Sequence, residues 1–386
     1  MSKARHFVLA AGGTGGHMVP AAALAAELIK RGHSVALVSD ERGVRFPGLF
    51  DGIETHILPA GRLAGGPLGW ARAGVNMLRG RSMAKRLFRK HRPAAVIGFG
   101  GYPAFPTLLG AFAMNIPTAV HEQNAVLGRV NRLVAGRVAA IATSYPDVER
   151  LKDSWRGKTH LVGNPVRDSV LALRTRPYPL LEEDGIFRVL VTGGSQGASI
   201  LSQVVPDGLA LLPISFRRRL QVTHQARLED IDQVRAKYAE LSIAAELATY
   251  LADMPEQLAW AHLVIARAGA STLAELTAAG RPAILVPLPS ATDDHQTVNA
   301  RELTRAGGAR TIDQRAFTPI ELAKQMQKLG LDPAALLNAA GRARSCGRPD
   351  AARDLADLVE SLDAPHSDIM VGLNRPIKFG DQAAYA

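Results

Sequence analysis

Short apolar runs alternate with longer helical stretches along most of this chain. The first series of apolar runs comprises His6–Ala10, Ser34–Ser39, Ala95–Gly98 and Pro117–His121. A glycine-rich loop, Gly12–Gly16, follows the first run and leads into an Ala-rich stretch, Val19–Arg31, of helical character. Short apolar runs bounded by turn residues are typical of buried strands. Their alternation with helices predicts an α/β protein with parallel sheets.

The same pattern begins again in the second half of the chain. Phe187–Thr192 is followed by the loop Gly193–Gly197 and a helical stretch. Further apolar runs lie at Leu220–Thr223, Ala245–Thr249, Leu263–Ala266 and Ala283–Pro287. The pattern of strand, glycine loop and helix, which begins a Rossmann-like domain, occurs twice in 386 residues. Because a single domain with one core rarely has so many residues, the sequence predicts two Rossmann-like domains. The segment Arg174–Gly185 has the composition of a linker, and Pro365–Ala386 that of a flexible tail.

The bulk composition is that of a globular protein with an anionic partner. Hydrophobic residues make up 47% of the chain and charged residues 21%, and the formal net charge is +11. This charge is compatible with nucleic acid, an anionic membrane or a phosphorylated substrate. Cys346 is the only cysteine, which excludes an internal disulfide and fits a reducing cytoplasm. No apolar run reaches the about 18–20 residues that a spanning helix needs, and the first residues do not predict a signal peptide.

The loop Gly12–His17 lies between a predicted strand and a predicted helix. Glycines let backbone amides approach an anion, and the amino end of a helix favours negative charge. The dinucleotide fingerprint would require a third glycine where Met18 stands. Asp40, at the end of the second strand, nevertheless keeps an NAD-dependent oxidoreductase as an alternative.

Two further loops of this kind occur in the second half, at Gly193–Ala198 and Arg267–Thr272. In the latter, Ser271 or Thr272 is expected to cap the following helix, whose free amides then face a bound phosphate. Glu275, one turn further on, is placed to accept hydrogen bonds from a ribose diol. Three such loops, each at the carboxyl end of a strand, favour a nucleotide diphosphate over simple tight turns.

An ordered set of motifs carries a resemblance to a known family over about residues 5 to 360. The motifs are Gly12–His17, Gly98–Tyr102, His121–Asn124, Gly163–Arg167, Gly193–Ala198 and Asp294–Ala300. In this set the chain resembles the N-acetylglucosaminyltransferases of peptidoglycan synthesis that act on undecaprenyl-diphospho-muramoylpentapeptide, members of glycosyltransferase family 28. Each motif alone is modest, and the ordered set is specific.

The resemblance implies a GT-B fold, with two Rossmann-like doubly wound domains facing across a cleft. We expect an N-terminal acceptor and membrane-binding domain over 1–165 and a UDP-GlcNAc-binding domain over 166–345. A C-terminal helix over 346–362 is expected to pack back on the first domain, and 363–386 to form the tail. The implied reaction moves GlcNAc from UDP-GlcNAc to the muramyl 4-hydroxyl of lipid I with inversion, at the cytoplasmic face of the inner membrane. No cofactor or metal is implied.

The resemblance also implies roles for individual residues. Those expected to bind UDP-GlcNAc are Thr14, Gly15, Gly16, Asn124, Arg167, Ser195, Leu251, Ala270, Ser271, Thr272, Leu273, Ala274, Glu275 and Gln296. Within this set, Leu251 would lie beside the uracil, Arg167 near the diphosphate, and Gln296 at the GlcNAc hydroxyls. The loop Pro287–His295 is about one residue longer than in some relatives, which leaves the geometry at Asp293 and Asp294 open.

Transfer to an alcohol requires a general base and stabilisation of the departing UDP. His17 is a candidate base because imidazole titrates near neutral pH. Glu122, at a strand end, is the rival for that role or for orienting the acceptor. The Asp-Xaa-Asp spacing of Asp230 and Asp232 lies in a predicted exposed helix and is interpreted as a solvated face. Helix amino ends and Arg167 can stabilise the diphosphate instead.

A basic and apolar segment covers about residues 62–92. No Asp or Glu occurs between Thr55 and His121, and basic residues mix here with Leu78, Leu87 and Phe88 at helical spacing. This pattern favours an interfacial helix on anionic lipid over a core helix with a solvated basic face. Nucleic acid is disfavoured because the segment offers only two aromatics for stacking. A diacylglycerol sugar transferase and a UDP-GlcNAc 2-epimerase share the architecture, but the motifs at His121–Asn124 and Asp294–Ala300 favour the peptidoglycan enzyme.

Overall fold

The structure is a computed structural model that describes residues 4–43, 48–59, 66–182, 184–194, 197–330 and 332–362. At residues 67–70 it describes the course of the helix only. The predicted contact of Ser195, the start of the basic segment up to residue 65, and the predicted tail 363–386 therefore lie outside the described residues.

The first half of the chain forms a parallel sheet covered by helices. Its seven strands are β1 (His6–Ala10), β2 (Ser34–Ser39), β3 (Glu54–Ile57), β4 (Ala95–Gly98), β5 (Thr118–Glu122), β6 (Ala140–Thr143) and β7 (Thr159–Leu161). They lie in the order β3-β2-β1-β4-β5-β6-β7, and every adjacent pair is parallel. The connecting helices are α1 (Gly15–Lys30), α2 (Gly66–His91), α3 (Ala104–Phe112) and α4 (Arg129–Val134).

The second half repeats this arrangement with six strands. They are β8 (Phe187–Thr192), β9 (Leu220–Gln225), β10 (Ala244–Ala248), β11 (Leu263–Ala266), β12 (Ala283–Leu285) and β13 (Ala309–Thr311). Their order is β10-β9-β8-β11-β12-β13, again all parallel. The helices are α5 (Asp168–Leu171), α6 (Ser199–Ala210), α7 (Ile214–Arg217), α8 (Ile231–Glu240), α9 (Met254–Trp260), α10 (Ala270–Ala279), α11 (His295–Arg305), α12 (Pro319–Gly330), α13 (Pro333–Cys346) and α14 (Ala351–Ser361).

Each sheet is buried on both faces, which explains why its central strands are continuous apolar runs. In β1, Phe7 and Leu9 enter the core on one face, and Val8 and Ala10 the core on the other. Successive side chains of a strand point to opposite faces, so a strand covered on both sides has no polar positions to alternate. The predicted pair of doubly wound Rossmann-like domains is confirmed.

Two details differ from the sequence prediction. Helix α1 begins at Gly15, four residues before the predicted start at Val19, and it contains Pro20. The glycine-rich stretch has no hydrophobic period, so the pattern did not reveal that it already winds into the helix. The short strands β3, β6, β7 and β13 were also missed. Strands β3, β7 and β13 have three or four largely exposed residues at or near a sheet edge, which carry little signal. Strand β6 is buried, but it has only four residues.

The last helix, α14, packs against α1 of the first sheet. Its residues Leu355, Leu358 and Val359 enter the same core as Leu24 and Leu28. Polar contacts surround this apolar contact. Arg31 donates to Asp357 and to Glu360, and Glu360 also pairs with the buried ring of His33. Burial raises the pKa of Glu360, but the hydrogen bonds from His33 and Arg31 outweigh it, so that the net pKa is lowered.

We expect Glu360→Gln to destabilise the fold at neutral pH by about 1.5–3 kcal/mol, the range for hydrogen bonds to a charged partner. Because the folded pKa of Glu360 lies below its unfolded value, the carboxylate stabilises the protein above the unfolded pKa. This contribution disappears as the pH falls through the folded pKa. Urea unfolding at neutral and at strongly acidic pH measures it. The difference from the parent should vanish in acid, and the exposed control Glu246→Gln should show none at either pH.

Candidate functional site

The candidate site lies where the strand order of each sheet reverses. In the first sheet the reversal falls between β1 and β4, and in the second between β8 and β11. Glycines lie at or just after the ends of these four strands, at Gly12, Gly98, Gly193 and Gly269. Ligands of open α/β sheets bind at this point, outside the carboxyl ends of the strands. Each domain therefore presents two glycine loops at its binding edge.

The loop after β1 is shaped by Asp40. This carboxylate accepts hydrogen bonds from the amides of Gly13 and Gly43 and from the guanidinium of Arg42. Burial raises the pKa of Asp40, but the bonds from Arg42, Gly43 and Gly13 outweigh it and lower the pKa overall. A carboxylate with both oxygens engaged within the protein is not available for a ribose diol. This observation removes the basis of the NAD alternative.

The helices after these loops begin without side-chain caps. The residues at their N-cap positions are Thr14 for α1, Ala198 for α6 and Gly269 for α10, and none of them makes a side-chain cap hydrogen bond. The prediction that Ser271 or Thr272 caps α10 is wrong, because both lie inside its first turn and Ser271 Oγ is buried without a partner among the described residues. First-turn amides without caps are donors for an anion.

His17 lies in the first turn of α1 and packs on the loop after β4. Gly100 has a φ of +94°, which favours glycine, and a Cβ there would lie only 3.0 Å from His17 Cε1. Its Nδ1 lies 3.1 Å from Gln123 Oε1. Burial lowers the pKa of His17; the bonds with Gln123 and the Phe99 carbonyl, and the charge of Glu122, oppose the effect only partly. The ring is therefore neutral at neutral pH.

Glu122 is buried beneath the loop that follows β5. Its Oε1 accepts from the amide and the side chain of Asn124, and its Oε2 from the Gly128 amide and the Asn131 side chain. The carboxylate is 1% exposed. These four hydrogen bonds organise the loop and engage both oxygens. The geometry favours His17 over Glu122 as the group that meets a substrate hydroxyl.

Asn124 links the two domains. Its Oδ1 accepts a hydrogen bond from Asn299 Nδ2 at 3.0 Å, and the neighbouring amide of Ala125 donates to Asn299 Oδ1 at 2.7 Å. Asn299 lies on α11 of the second domain and is buried. Asn124 is thus held at the floor of the cleft by both domains.

Arg167 and Glu275 form an ion pair beside the start of α10. Arg167 donates to Glu275 Oε1 at 3.0 Å, while Arg167 Nε has no partner among the described residues. Burial raises the pKa of Glu275, and Arg167 lowers it by a smaller amount. The sequence prediction gave these residues separate ligand contacts, and the structure brings them together.

The remaining predicted donor residues surround the same helix. Gln296 Oε1 accepts from the amides of Ala268 and Leu288, which orients its Nε2 as the free donor of the amide. Leu251 is buried before α9. The Leu273 amide donates to the Gly269 carbonyl and its side chain lies in the core, so this residue supplies packing rather than a polar contact. Ala274, half-buried, follows it.

Gln225 is a residue of this site that the motifs did not reveal. Its side chain accepts from Thr192 Oγ1 and donates to the carbonyls of Gly194 and Thr249. It therefore ties the loop after β8 to the segment before Leu251. Strand β9 contains several other polar residues, so nothing in the sequence singled out Gln225 at its carboxyl end.

Ion pairs across the cleft were also absent from the sequence analysis. Asp293 pairs with Arg132 and Arg150 of the first domain, and Arg301 of α11 pairs with Glu149. Asp293 and the following residue, Asp294, have positive φ values of 56° and 52°. The longer loop noted in the sequence is thus the one that reaches across to the other domain.

Carboxylate and imidazole groups at metal-binding distances lie far from this cleft. Among the described residues such a cluster is formed by Glu54, His56 and His91. Glu54 begins β3 and His91 precedes β4, at the amino-terminal edge of the first sheet. Asp232 of the Asp-Xaa-Asp spacing is exposed on α8 and pairs with Arg235, as expected for a solvated face. Asp230 is half-buried at the N-cap of α8, so for this residue the prediction is wrong.

Helix α2 has one buried and one exposed face. Leu87 and Phe88, predicted to face lipid, are buried in the core of the first domain, and this part of the prediction is wrong. Val75, Leu78 and Met83 are 48%, 66% and 42% exposed, and they share the outer face with exposed Arg79 and Arg86. The side chains of Leu68 and Trp70 lie outside the described residues. No helix in the described ranges has the length and apolar character needed to span a bilayer.

Comparison with known proteins agrees with this geometry. The glycosyltransferase family 28 N-terminal domain matches residues 7–143, and the family's C-terminal domain matches residues 188–357. A UDP-N-acetylglucosamine–N-acetylmuramyl-(pentapeptide) pyrophosphoryl-undecaprenol N-acetylglucosamine transferase from Zymomonas mobilis is 63% identical over 362 residues, which cover 94% of each chain.

Solved structures give the same result. The crystal structure of Acinetobacter baumannii MurG superposes with a TM-score of 0.74 at 29% identity, covering 92% of this chain and 99% of that one. A UDP-N-acetylglucosamine 2-epimerase superposes with a TM-score of 0.68 at 14% identity, over 94% and 96% of the two chains, and this similarity shows only a shared fold. The chain belongs to glycosyltransferase family 28, and within it to the family of N-acetylmuramyl-(pentapeptide) pyrophosphoryl-undecaprenol N-acetylglucosamine transferases.

Proposed function

We propose that this chain transfers GlcNAc from UDP-GlcNAc to the 4-hydroxyl of the muramyl residue in undecaprenyl-diphospho-MurNAc-pentapeptide. The observation that carries the proposal is the pair of strand-order reversals, each with glycine loops and uncapped helix ends, within a chain that belongs to this family. One reversal supplies a place for the sugar nucleotide and the other a place for the acceptor.

The donor is assigned to the second domain. The first-turn amides of α10, at Ala270, Ser271 and Thr272, offer hydrogen bonds and a helix dipole to the diphosphate, and Arg167 adds a full charge nearby. Glu275 then accepts from the ribose, and Gln296 Nε2 donates to a GlcNAc hydroxyl. Leu251 supplies the apolar contact beside the uracil.

The first domain contributes the acceptor side and the base. His17 is neutral, and it lies in the first turn of α1, directly after the residues Thr14 to Gly16. The acceptor oxygen forms a bond with the anomeric carbon while the bond from that carbon to the diphosphate breaks. His17 takes the hydroxyl proton, and the electron pair leaves with UDP. Helix amino ends stabilise the departing charge in this scheme.

The outer face of α2 is proposed to rest on the anionic cytoplasmic surface of the cell membrane. Arginines and exposed apolar side chains are interleaved there, which is the arrangement of an interfacial helix. A lipid-linked acceptor with a diphosphate would be met at the same surface.

His17→Ala is expected to lower turnover by about 10²–10⁴-fold, the usual contribution of a general base. UDP affinity, measured by calorimetry, should stay within a few-fold of the parent because the donor lies on the second domain. Since burial holds the pKa of His17 below its ordinary value, the parent enzyme should keep its activity down to that lowered pKa and lose it only below. A variant with nearly parental turnover would remove His17 as the base.

Glu275→Ala is expected to weaken UDP binding by about 1.5–3 kcal/mol, because a charged acceptor of hydrogen bonds is lost. Titration calorimetry with UDP, rather than with UDP-GlcNAc, isolates the nucleotide contact. The parent affinity should also fall as the pH drops through the raised pKa of Glu275, where the carboxylate becomes neutral. Glu240→Ala, on the exposed end of α8, serves as the control, and equal affinities in the two variants would refute the ribose contact.

Replacing Arg72, Arg79, Arg86 and Arg89 by Gln should abolish co-flotation with anionic phospholipid vesicles, since each basic residue contributes about 1 kcal/mol at such a surface. The matched control replaces four exposed arginines of the second domain, namely Arg218, Arg305, Arg310 and Arg315. Both variants change the net charge equally. If vesicle binding falls equally in the α2 variant and in the control variant, the attraction depends only on net charge. If the α2 variant still binds vesicles, the α2 face is not the membrane-binding surface.

A further inference from the structure

A chain of buried hydrogen bonds leads from His17 into the first domain. His17 Nδ1 lies 3.1 Å from Gln123 Oε1, Gln123 Nε2 lies 3.0 Å from His121 Nδ1, and His121 Nε2 lies 2.9 Å from the Gly163 carbonyl. Gln123 and His121 are 1% and 0% exposed. The family motif contains both residues, but neither has a role in the proposed donor or acceptor contacts.

The proton positions along this chain follow from its last member. The Gly163 carbonyl can only accept, so His121 Nε2 carries a hydrogen. Burial lowers the pKa of His121 to about 4, so the ring is neutral and has that one N–H only. His121 Nδ1 is therefore an acceptor.

The orientation of the Gln123 amide is determined next. Its Nε2 lies 3.0 Å from His121 Nδ1 and 3.0 Å from the His121 carbonyl, and both of these atoms accept. A flipped amide would place its oxygen against two acceptors. The amide therefore presents Oε1 to His17, and only a protonated Nδ1 of His17 can form the observed bond.

We propose that Gln123 and His121 are positioning residues that hold His17 as the Nδ1–H tautomer, so that Nε2 carries no proton and can accept one. The assignment of the tautomer follows from the hydrogen bonds alone. Its role in catalysis rests on the proposed transferase reaction. Neutral histidine has one proton, and a ring with that proton on Nε2 would be unable to take another from the acceptor hydroxyl there. The chain of hydrogen bonds thus selects the Nδ1–H tautomer of His17 before the substrate binds.

The same chain accommodates the charge that forms during transfer. When Nε2 takes the hydroxyl proton, His17 becomes a cation whose Nδ1–H already donates to Gln123 Oε1. The titratable groups that face the ring are Glu122 and His121 of the first domain and His295 of α11. Glu122 and the Phe99 carbonyl favour the cation, and His295 opposes it.

The first test reads the tautomer directly. Full-length protein labelled with ¹⁵N-histidine is studied by long-range ¹H–¹⁵N correlation at neutral pH, with the His17 signal assigned by its loss in His17→Ala. The proposal expects a protonated Nδ1 and an unprotonated Nε2 for His17, and the reverse for His121. A His17 ring with its proton on Nε2 would overturn it, whatever the activity of the enzyme.

The second test replaces Gln123, which connects His17 to His121. Gln123→Met keeps the length of the side chain and removes its hydrogen bonds with both histidine rings, so the His17 signal should shift to a mixture of tautomers. Turnover should fall by about tenfold to a hundredfold, with unchanged UDP affinity. Gln123→Glu keeps an acceptor for Nδ1–H, so it should restore part of the turnover and move the acidic limb of the pH profile to higher pH. Parental tautomer and turnover in Gln123→Met would refute the positioning role.

These readouts separate the proposal from the proposed function. If the tautomers are as expected and no GlcNAc transfer is found, the hydrogen-bond chain stands and the assigned reaction fails. If transfer is found with the other tautomer, the reaction stands and the chain has no positioning role.

Discussion

Parallel strand pairing is the constraint on which the rest of this structure depends. Because all strands of a sheet run in one direction, their carboxyl ends meet at one edge, and the helices that follow begin there. Free amides at helix starts therefore gather at a single place in each domain, although the loops that carry them are far apart in sequence. In the first domain the loops after β1 and β4 meet in this way, at Gly12 and Gly101. In the second domain the Arg267 amide after β11 donates to the Thr192 carbonyl at the end of β8.

Polar side chains that hydrogen-bond within the protein differ in function from polar groups that remain available to a ligand. Asp40, Glu122 and Gln225 have their oxygens engaged by the protein, and they determine the shape of the loops around them. Burying such groups is tolerable because each one is hydrogen-bonded. The groups that remain available to a ligand are the backbone amides at helix starts, Nε2 of His17 and Nε2 of Gln296. The difference explains why Asp40 resembles a ribose-binding acid in sequence and does not act as one.

The described contacts between the domains are both apolar and polar. Val298 of α11 packs with Ala125 and Val126 of the first domain. Asn299 bonds with Asn124 and Ala125 at the base of the cleft, and Asp293 pairs with two arginines near its rim. The half-exposed pair of Arg301 with Glu149 contributes less than about 1 kcal/mol, so it aligns the domains more than it holds them together. The apolar contact of α14 with α1 is of a different kind, since it joins the end of the chain to the core of the first domain.

The sequence by itself determined the fold class, the two repeated halves and the glycine loops. Burial of a strand on both faces requires apolar residues, and a positive φ favours glycine, so both constraints are visible in the residue type at each position. It also determined most of the candidate donor residues, through motifs that span only a few positions. Only the tertiary structure decided how they combine. It paired Arg167 with Glu275, engaged Glu122 fully, buried Leu87 and Phe88, and connected His17 through Gln123 to His121. Hydrogen-bond partners and burial depend on residues distant in the chain, and a local pattern carries no record of them.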